Sequence, residues 1–564
     1  MLRKSVTRLG LLSFLGAAAC SGNSAGPKLP PCTDAGYTVT LPVVGAYISV
    51  DPTGADSGCV VFRANGSVDA EFLLVPQLAT GVPGQTSTYR LAGDTIRPAP
   101  VAPAFSAPTL AALGPAEQFH AFLRLGDEAH WRGLNPQVAP PGVAGAPAAR
   151  SPAAPAGRPA LNSLRQFKVC STLTCSKFAT VTAKVRALDS TVAIYVDTLA
   201  PAGGLDSAAL DSLATLFQTR LYRTDTAAFG RESDIDSNRV VMVLMTATVN
   251  KLVTQAQCQA TGFVAGFFFG ADIDPAFRTD ARSNKGEVFY SIVADPAGTL
   301  SCAHSTTSVQ RLVPVTFIHE FQHMISFNQH VLVRGSDAEV LWLNEGFSHY
   351  AEELGGRTYA SGTPEFSRFT IGDLYNAYQY LDSTEKHFLL PTAGIGSLAE
   401  RGAAWLFVRY LVDRYATDTT TAAWNVFTRR MLATSDVGAA NVANRTGDTF
   451  TNVVNRWALA DWVSDLPGFT APSALKYDSW SFRATYASLN SQDPGNFPKA
   501  FPLTPTQSAG RAVSLTGTLR AGSGVYARAV QAPNAPGFTL LFGTSGGGPL
   551  DPALVPRLNV IRIR

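Results

Sequence analysis

Pro314-Val-Thr-Phe-Ile-His-Glu-Phe-Gln-His-Met-Ile-Ser-Phe327 is the stretch of this 564-residue chain from which the rest is read. Its apolar run predicts a helix, and that helix carries His319, Glu320 and His323 in the spacing H-E-x-x-H. Histidines four apart on a helix lie about 40° apart around its axis, so both imidazoles reach a single cation. Glu320, about 100° from His319, falls beside that cation rather than on it. That is where a base must stand to take a proton from a water held by a metal.

With eight histidines in the chain, the pattern gains weight only with a third ligand. A hydrolytic zinc ion takes three protein ligands and keeps a fourth position open. Leu341-Trp-Leu-Asn-Glu-Gly-Phe-Ser-His-Tyr-Ala-Glu-Glu-Leu354 supplies the third from a second predicted helix, with Glu345 the ligand. The cofactor read from this set is one Zn²⁺ ion.

The two segments resemble those of the gluzincin zinc metallopeptidases, in which a helix bearing a ligand Glu follows H-E-x-x-H. Trp342-Leu-Asn-Glu-Gly-Phe347 is similar to the wording of the aminopeptidase N group, and the longer runs from Phe317 to Ile325 and from Trp342 to Glu353 are nearer to hyicolysin-like bacterial peptidases. The likeness covers roughly residues 310 to 415. It implies that His319, His323 and Glu345 hold the metal, that Glu320 is the general base, and that the substrate is a peptide or protein. No G-x-M-E-N segment precedes the motif, which points to an endopeptidase rather than an aminopeptidase. Thermolysin-like enzymes carry Asp four residues after the ligand Glu, where this chain has His349, read here as lining the cleft. Similar helices of the aminopeptidase group place a Glu at the position of Glu352, the candidate for orienting a ligand histidine. A downstream Tyr or His stabilises the oxyanion in related enzymes, and Tyr375, Tyr378, Tyr380 and His387 fall in that interval. The segment Gly402 to Leu411 is similar to a helix often preceded by Tyr, but Arg401 stands there. His120, His130, His304 and His330 read as loop or surface residues.

Arg3, Lys4 and Arg8 precede the apolar run Leu9 to Ala19, a secretory-signal pattern too short to stay as a spanning helix. Two cleavages fit: an Ala-x-Ala site, or lipoprotein processing that leaves Cys20 as the lipidated first residue, which is favoured. Setting Cys20 aside from the seven cysteines leaves six, enough for three disulfides in an exported chain. The domain layout favours Cys32 with Cys59, Cys170 with Cys175, and Cys258 with Cys302. The reading is an exported bacterial protein, secreted or held at the cell envelope, whose only membrane feature is that amino terminus.

The chain is too long for one core. Composition divides it into a signal (1–20), a tether (21–31), a β-sandwich-like module (32–125), a Pro/Ala-rich linker (126–162) open to proteolytic maturation, the metallopeptidase domain (163–485) and a C-terminal β module (486–564). Within 163–485, strands come first and helices follow. This predicts an α+β fold, a sheet-containing lobe and then a helical lobe as in gluzincins, flanked by β modules. Asp234-Ile-Asp-Ser-Asn238 opens like a calcium loop but lacks its Gly and closing Glu, and reads as a polar turn. A net charge of +3 with no basic run gives no support to nucleic-acid binding. Two alternatives stand beside the endopeptidase: a catalytically altered zinc-binding surface protein that binds glycan or protein, and a metallohydrolase of non-peptide substrates.

Overall fold

The computed structural model describes residues 28–29, 32, 36–93, 114–129, 157–392 and 396–564. The signal with Cys20, nearly all of the tether, His130 and most of the linker lie outside them. In chain order come strands β1 (Tyr37–Val39), β2 (Tyr47–Val50), β3 (Cys59–Phe62), β4 (Ala70–Leu78) and β5 (Thr86–Gly93), then helix α1 (Pro115–Glu128). Next are β6 (Leu164–Cys170), β7 (Phe178–Leu188), β8 (Val192–Asp197), α2 (Ser207–Leu216), α3 (Tyr222–Phe229), β9 (Val241–Met245), α4 (Ala247–Asn250), α5 (Gln255–Thr261), β10 (Gly266–Phe268) and β11 (Val288–Ser291). The helices α6 (Thr306–Phe327), α7 (Leu341–Arg357), α8 (Pro364–Asp382), α9 (Leu398–Tyr415), α10 (Thr421–Leu432), α11 (Gly438–Thr446), α12 (Phe450–Val463) and α13 (Phe482–Gln492) follow. Strands β12 (Thr506–Ala509), β13 (Ser514–Arg520), β14 (Ala527–Gln531), β15 (Phe538–Gly543) and β16 (Pro556–Arg562) close the chain. The expected mixture of sheet and helix is present, with the sheet first and the helices after it.

Six strands form the central sheet in the order β10-β11-β9-β8-β7-β6, with β8, β9 and β11 parallel and the rest antiparallel. The run Val-Met-Val-Leu-Met of β9 is buried throughout, as a strand covered on both faces must be. Strand β10 is an edge, and α6 packs on it and on β11.

The flanking strands depart from expectation. They form two five-stranded sheets, β1-β3-β15-β5-β13 and β12-β14-β4-β16-β2, and each sheet draws strands from both ends of the chain. Strand β15 lies between β3 and β5, and β4 between β14 and β16. One apolar core joins the sheets, with Phe62, Leu91, Leu540 and Phe542 from one and Leu74, Leu558 and Val560 from the other. The segments read as separate modules, 32–125 and 486–564, therefore build one sandwich. Alternating apolar residues show that a strand has a buried face but not which strand lies beside it. A second departure is α1, which falls across the boundary drawn between β module and linker. Phe119 and Leu123, four apart, give it a buried stripe, and Phe119 packs edge-on against Phe267 of β10 at 5.0 Å.

All three cysteine pairs lie at bonding distance, with Cα separations of 5.2 Å for Cys32–Cys59, 4.8 Å for Cys170–Cys175 and 5.8 Å for Cys258–Cys302.

Candidate metal centre

Helix α6 starts at Ser305, whose hydroxyl accepts from the Ser308 N–H, and its last turns are buried on every side. Phe317 and Phe321 stack on Phe217 (4.2 Å) and Tyr222 (5.3 Å). His319 and His323 are each displaced two residues from that pair, about 200° around the helix, so docking the aromatic stripe turns the imidazoles the other way. Helix α7 faces them with Glu345, His349 and Glu352 at i, i+4 and i+7, while Phe347 and Tyr350 pack on Phe229. Gly346 allows this helix to press against α9: a Cβ there would lie 2.8 Å from the Ala404 carbonyl oxygen.

The structure brings together the three residues read as ligands. His319 Nε2 is 3.6 Å from Glu345 Oε2, and His323 Nε2 is 3.6 Å from Glu345 Oε1. Two ligand atoms on one tetrahedral ion, each about 2.0–2.1 Å from it, stand about 3.3–3.4 Å apart, so this spacing fits a shared cation. His323 Nε2 and both Glu345 oxygens are buried without a hydrogen-bond partner, a condition that a cation relieves. The other ring nitrogens are anchored: His319 Nδ1 donates to Glu352 Oε1 (2.7 Å) and His323 Nδ1 to Asn344 Oδ1 (3.0 Å). Each ring therefore presents Nε2 as a lone pair toward Glu345.

Electrostatics favour the same states. Burial pushes the Glu345 carboxyl up, but Arg401 and the imidazoles of His323, His319 and His349 outweigh it and hold the group below the ordinary carboxylate range. Burial drives His323 well below the usual imidazole value, keeping it neutral as a ligand must be. Glu320 is raised by burial, against the pull of His319, Arg124 and the Phe268 N–H. A raised carboxyl suits a group that must both take up and give back a proton.

Glu352 lies against His319, with Oε1 2.7 Å from its Nδ1. The neighbouring Glu353 points the opposite way and accepts from Trp405 Nε1 (3.0 Å), Arg409 Nη1 (3.1 Å) and Trp480 Nε1 (2.9 Å). His349 lies beside the centre, with Nε2 4.0 Å from Glu345 Oε2 and Nδ1 held by Asp373 Oδ1 (2.8 Å) and Glu352 Oε1 (3.1 Å).

The oxyanion candidates fare differently. Tyr378 OH accepts from the Lys499 N–H (2.7 Å), Tyr380 OH meets Ser523 Oγ (3.2 Å) while its ring stacks on Trp457, and Tyr375 packs on Phe497. None of the three is brought to the ligands; all serve the packing between α8 and the chain that follows. His387 Nδ1 bonds Glu400 Oε1 (2.9 Å), one residue before Arg401. Asp234 and Asp236 do gather with Glu287. Ser233 Oγ and the Ile235 N–H take up one Glu287 oxygen, and Asn238 and Arg165 engage Asp236, as in a polar turn.

Several neighbours of the centre were not legible in the sequence. His120, read as a loop or surface residue, sits on α1 with Nδ1 3.3 Å from Glu320 Oε1. His304 and His330 are likewise buried, not superficial. Arg124 of α1 donates to the Phe268 carbonyl (2.8 Å) on edge strand β10, and the Phe268 N–H donates to Glu320 Oε2 (3.0 Å). Asn344 and Asp373 complete the set. The only available signal was Asn344, adjacent to the candidate ligand Glu345; the others arrive from elements that no spacing rule connects to the motif.

No family model matches the chain. Among curated proteins, neutral metalloprotease ShpI of Staphylococcus hyicus is 28% identical over 127 residues, 22% of this chain and 26% of ShpI. The match thus spans about a quarter of that relative's length. Together with the His and Glu groups gathered at α6 and α7, it supports a distant relationship to a metalloprotease and a site for a metal ion.

Proposed function

We propose that the chain is a zinc-dependent endopeptidase of gluzincin type, exported and anchored through Cys20. The observation that carries this reading is the convergence of His319 Nε2, His323 Nε2 and the unpartnered Glu345 carboxylate, beside a base one residue from the first ligand. His319, His323 and Glu345 would hold the ion; zinc, when bound, acidifies water and polarises a carbonyl. Glu320 takes the proton of the attacking water and returns it to the departing amine. The Phe268 N–H holds Glu320 Oε2, and Oε1, which faces His120, takes the proton. Glu352 and Asn344 keep the imidazoles in the ligating tautomer. The three cysteine pairs fit an extracellular protein. Among the described residues no helix is long and apolar enough to cross a membrane.

The test is digestion of casein and a peptide library by the zinc-loaded protein beside Glu320→Gln. The variant should retain zinc and lose cleavage, and chelation should silence the wild type. Cleavage that persists in Glu320→Gln would overturn the assignment. A second reading, hydrolysis of small or non-peptide substrates, draws on the burial of every ligand and of the base beneath α1. Turnover of short esters or amides with no cleavage of casein would favour it.

A further inference from the structure

We propose that Arg401 is the oxyanion donor of this site, a role that rests on the peptidase reading above. The tyrosines of α8 are committed to other partners and His387 to Glu400, so the negative oxygen of a tetrahedral adduct needs a donor from elsewhere. Arg401 lies in the first turn of α9, fixed by the capping box in which Ser397 and Glu400 satisfy each other's backbone. The close approach of α9 to α7 at Gly346 sets that turn beside Glu345. Arg401 Nε is 3.9 Å from Glu345 Oε2, and the side chain lines a cavity shared with Glu345, Trp342 and Glu117.

That distance is outside hydrogen-bond range, so Arg401 does not clamp the ligand as Glu352 clamps His319. Among the described residues its guanidinium makes no side-chain hydrogen bond, which leaves its forked donors free toward the cavity. Three other cations or donors adjoin the centre, His120, Arg124 and His349. His120 and Arg124 lie against Glu320 (3.3 and 4.0 Å) rather than Glu345, and His349 is tied through Nδ1 to Asp373 and Glu352 (2.8 and 3.1 Å). A guanidinium stays charged throughout the working pH range and presents parallel N–H groups, the geometry that matches a developing oxyanion.

In the step assigned, the water oxygen bonds to the carbonyl carbon while its proton passes to Glu320. The carbonyl π pair moves onto oxygen, where Arg401 donates to it. Collapse re-forms the carbonyl, breaks the C–N bond and sends the Glu320 proton to the leaving nitrogen.

The experiment compares full-length wild type, Arg401→Ala and Arg401→Lys by zinc per chain, by kcat and KM on a fluorogenic peptide, and by the affinity of a phosphinic peptide that mimics the tetrahedral adduct. Arg401→Ala should keep its zinc, lose about 10²–10³-fold in kcat with KM changed only slightly, and bind the phosphinic peptide correspondingly less tightly. Arg401→Lys should recover part of both losses. Loss of zinc from both variants would overturn the proposal by showing that Arg401 merely holds Glu345, and so would unchanged kcat and phosphinate affinity. A wild type that cleaves normally beside an equally active Arg401→Ala sinks only this inference. A wild type that binds zinc and cleaves nothing sinks the peptidase reading, and the inference with it.

Discussion

The α6–α7 pair and the two-sheet sandwich are built by opposite strategies. The helices place the predicted ligands and base within 27 residues of sequence, from His319 to Glu345. The sandwich joins β4, before residue 79, to β16, after residue 555. In the first region position along the chain nearly determines position in space, because helical periodicity decides which side chains share a face. In the second, meaning resides in partners hundreds of residues away. The contrast implies that damage to the metal helices should be confined to chemistry, whereas damage to either end of the chain should spread to the other.

Deleting residues 556–564 is the severest test of that difference. Strand β16 bonds both β4 and β2, and it buries Leu558, Val560 and Ile561 completely. At about 1.5–3 kcal/mol per buried aliphatic side chain, the loss is of the order of a whole domain's stability. Hydrogen exchange should show β2 and β4 unprotected, although they lie at the other end of the chain. Persistent protection there would mean that the amino-terminal strands fold as a unit of their own.

Glu320→Gln probes the local region. It should lower turnover by about 10²–10⁴-fold while zinc content and melting temperature stay near wild type. Next in size is the adjacent pair Glu352 and Glu353. Glu352→Ala frees His319 Nδ1 and should weaken metal affinity by about 10–100-fold. Glu353→Ala leaves buried Arg409 with Asp413 as its remaining carboxylate and takes the acceptor from Trp405 and Trp480, and should cost about 3 kcal/mol of stability with little change in metal affinity. Calorimetry and zinc titration of both variants separate the two roles, and a common phenotype would erase the distinction.

What the sequence disclosed follows the same division. The grouping of His319, His323 and Glu345, with Glu320 and Glu352 beside them, was readable because H-E-x-x-H and the i, i+7 relation are rules about one helix face. Gly346 was part of the quoted motif, yet its reason, contact with α9, needed the packed structure. His120 and Arg124 could not be found, since α1 lies more than 190 residues before the base it adjoins. Its short apolar stripe was hidden beside Pro- and Ala-rich sequence. Tyr375, Tyr378 and Tyr380 were drawn in by sequence interval alone, and packing directed them to Phe497, Lys499 and Ser523. The merging of two β segments into one sandwich was equally out of reach, since burial alternation carries no partner address.

The smallest effect lies in the central sheet, which belongs to neither region. Burial pushes Glu287 up to about 7, outweighing the Ser233 hydroxyl and the Ile235 N–H that favour its charged form. In the unfolded chain a glutamate titrates near about 4.3. The folded state therefore binds the proton more tightly, so the stabilisation is fully present below about pH 4 and is lost as pH rises through about 7. Glu287→Gln keeps the oxygen that accepts from Ser233 and Ile235 and removes the titration. Between pH 5 and 8 the wild type should lose about 1–3 kcal/mol more than the variant in urea unfolding. The difference between the two curves isolates this one group, because Asp272 and Glu339, also raised to about 7 by burial, titrate in both proteins. Parallel curves would show that water reaches Glu287 in solution. A shift in zinc affinity along with the slope would show that the sheet and the metal helices unfold as one unit, joining the metal region to the long-range part of the molecule.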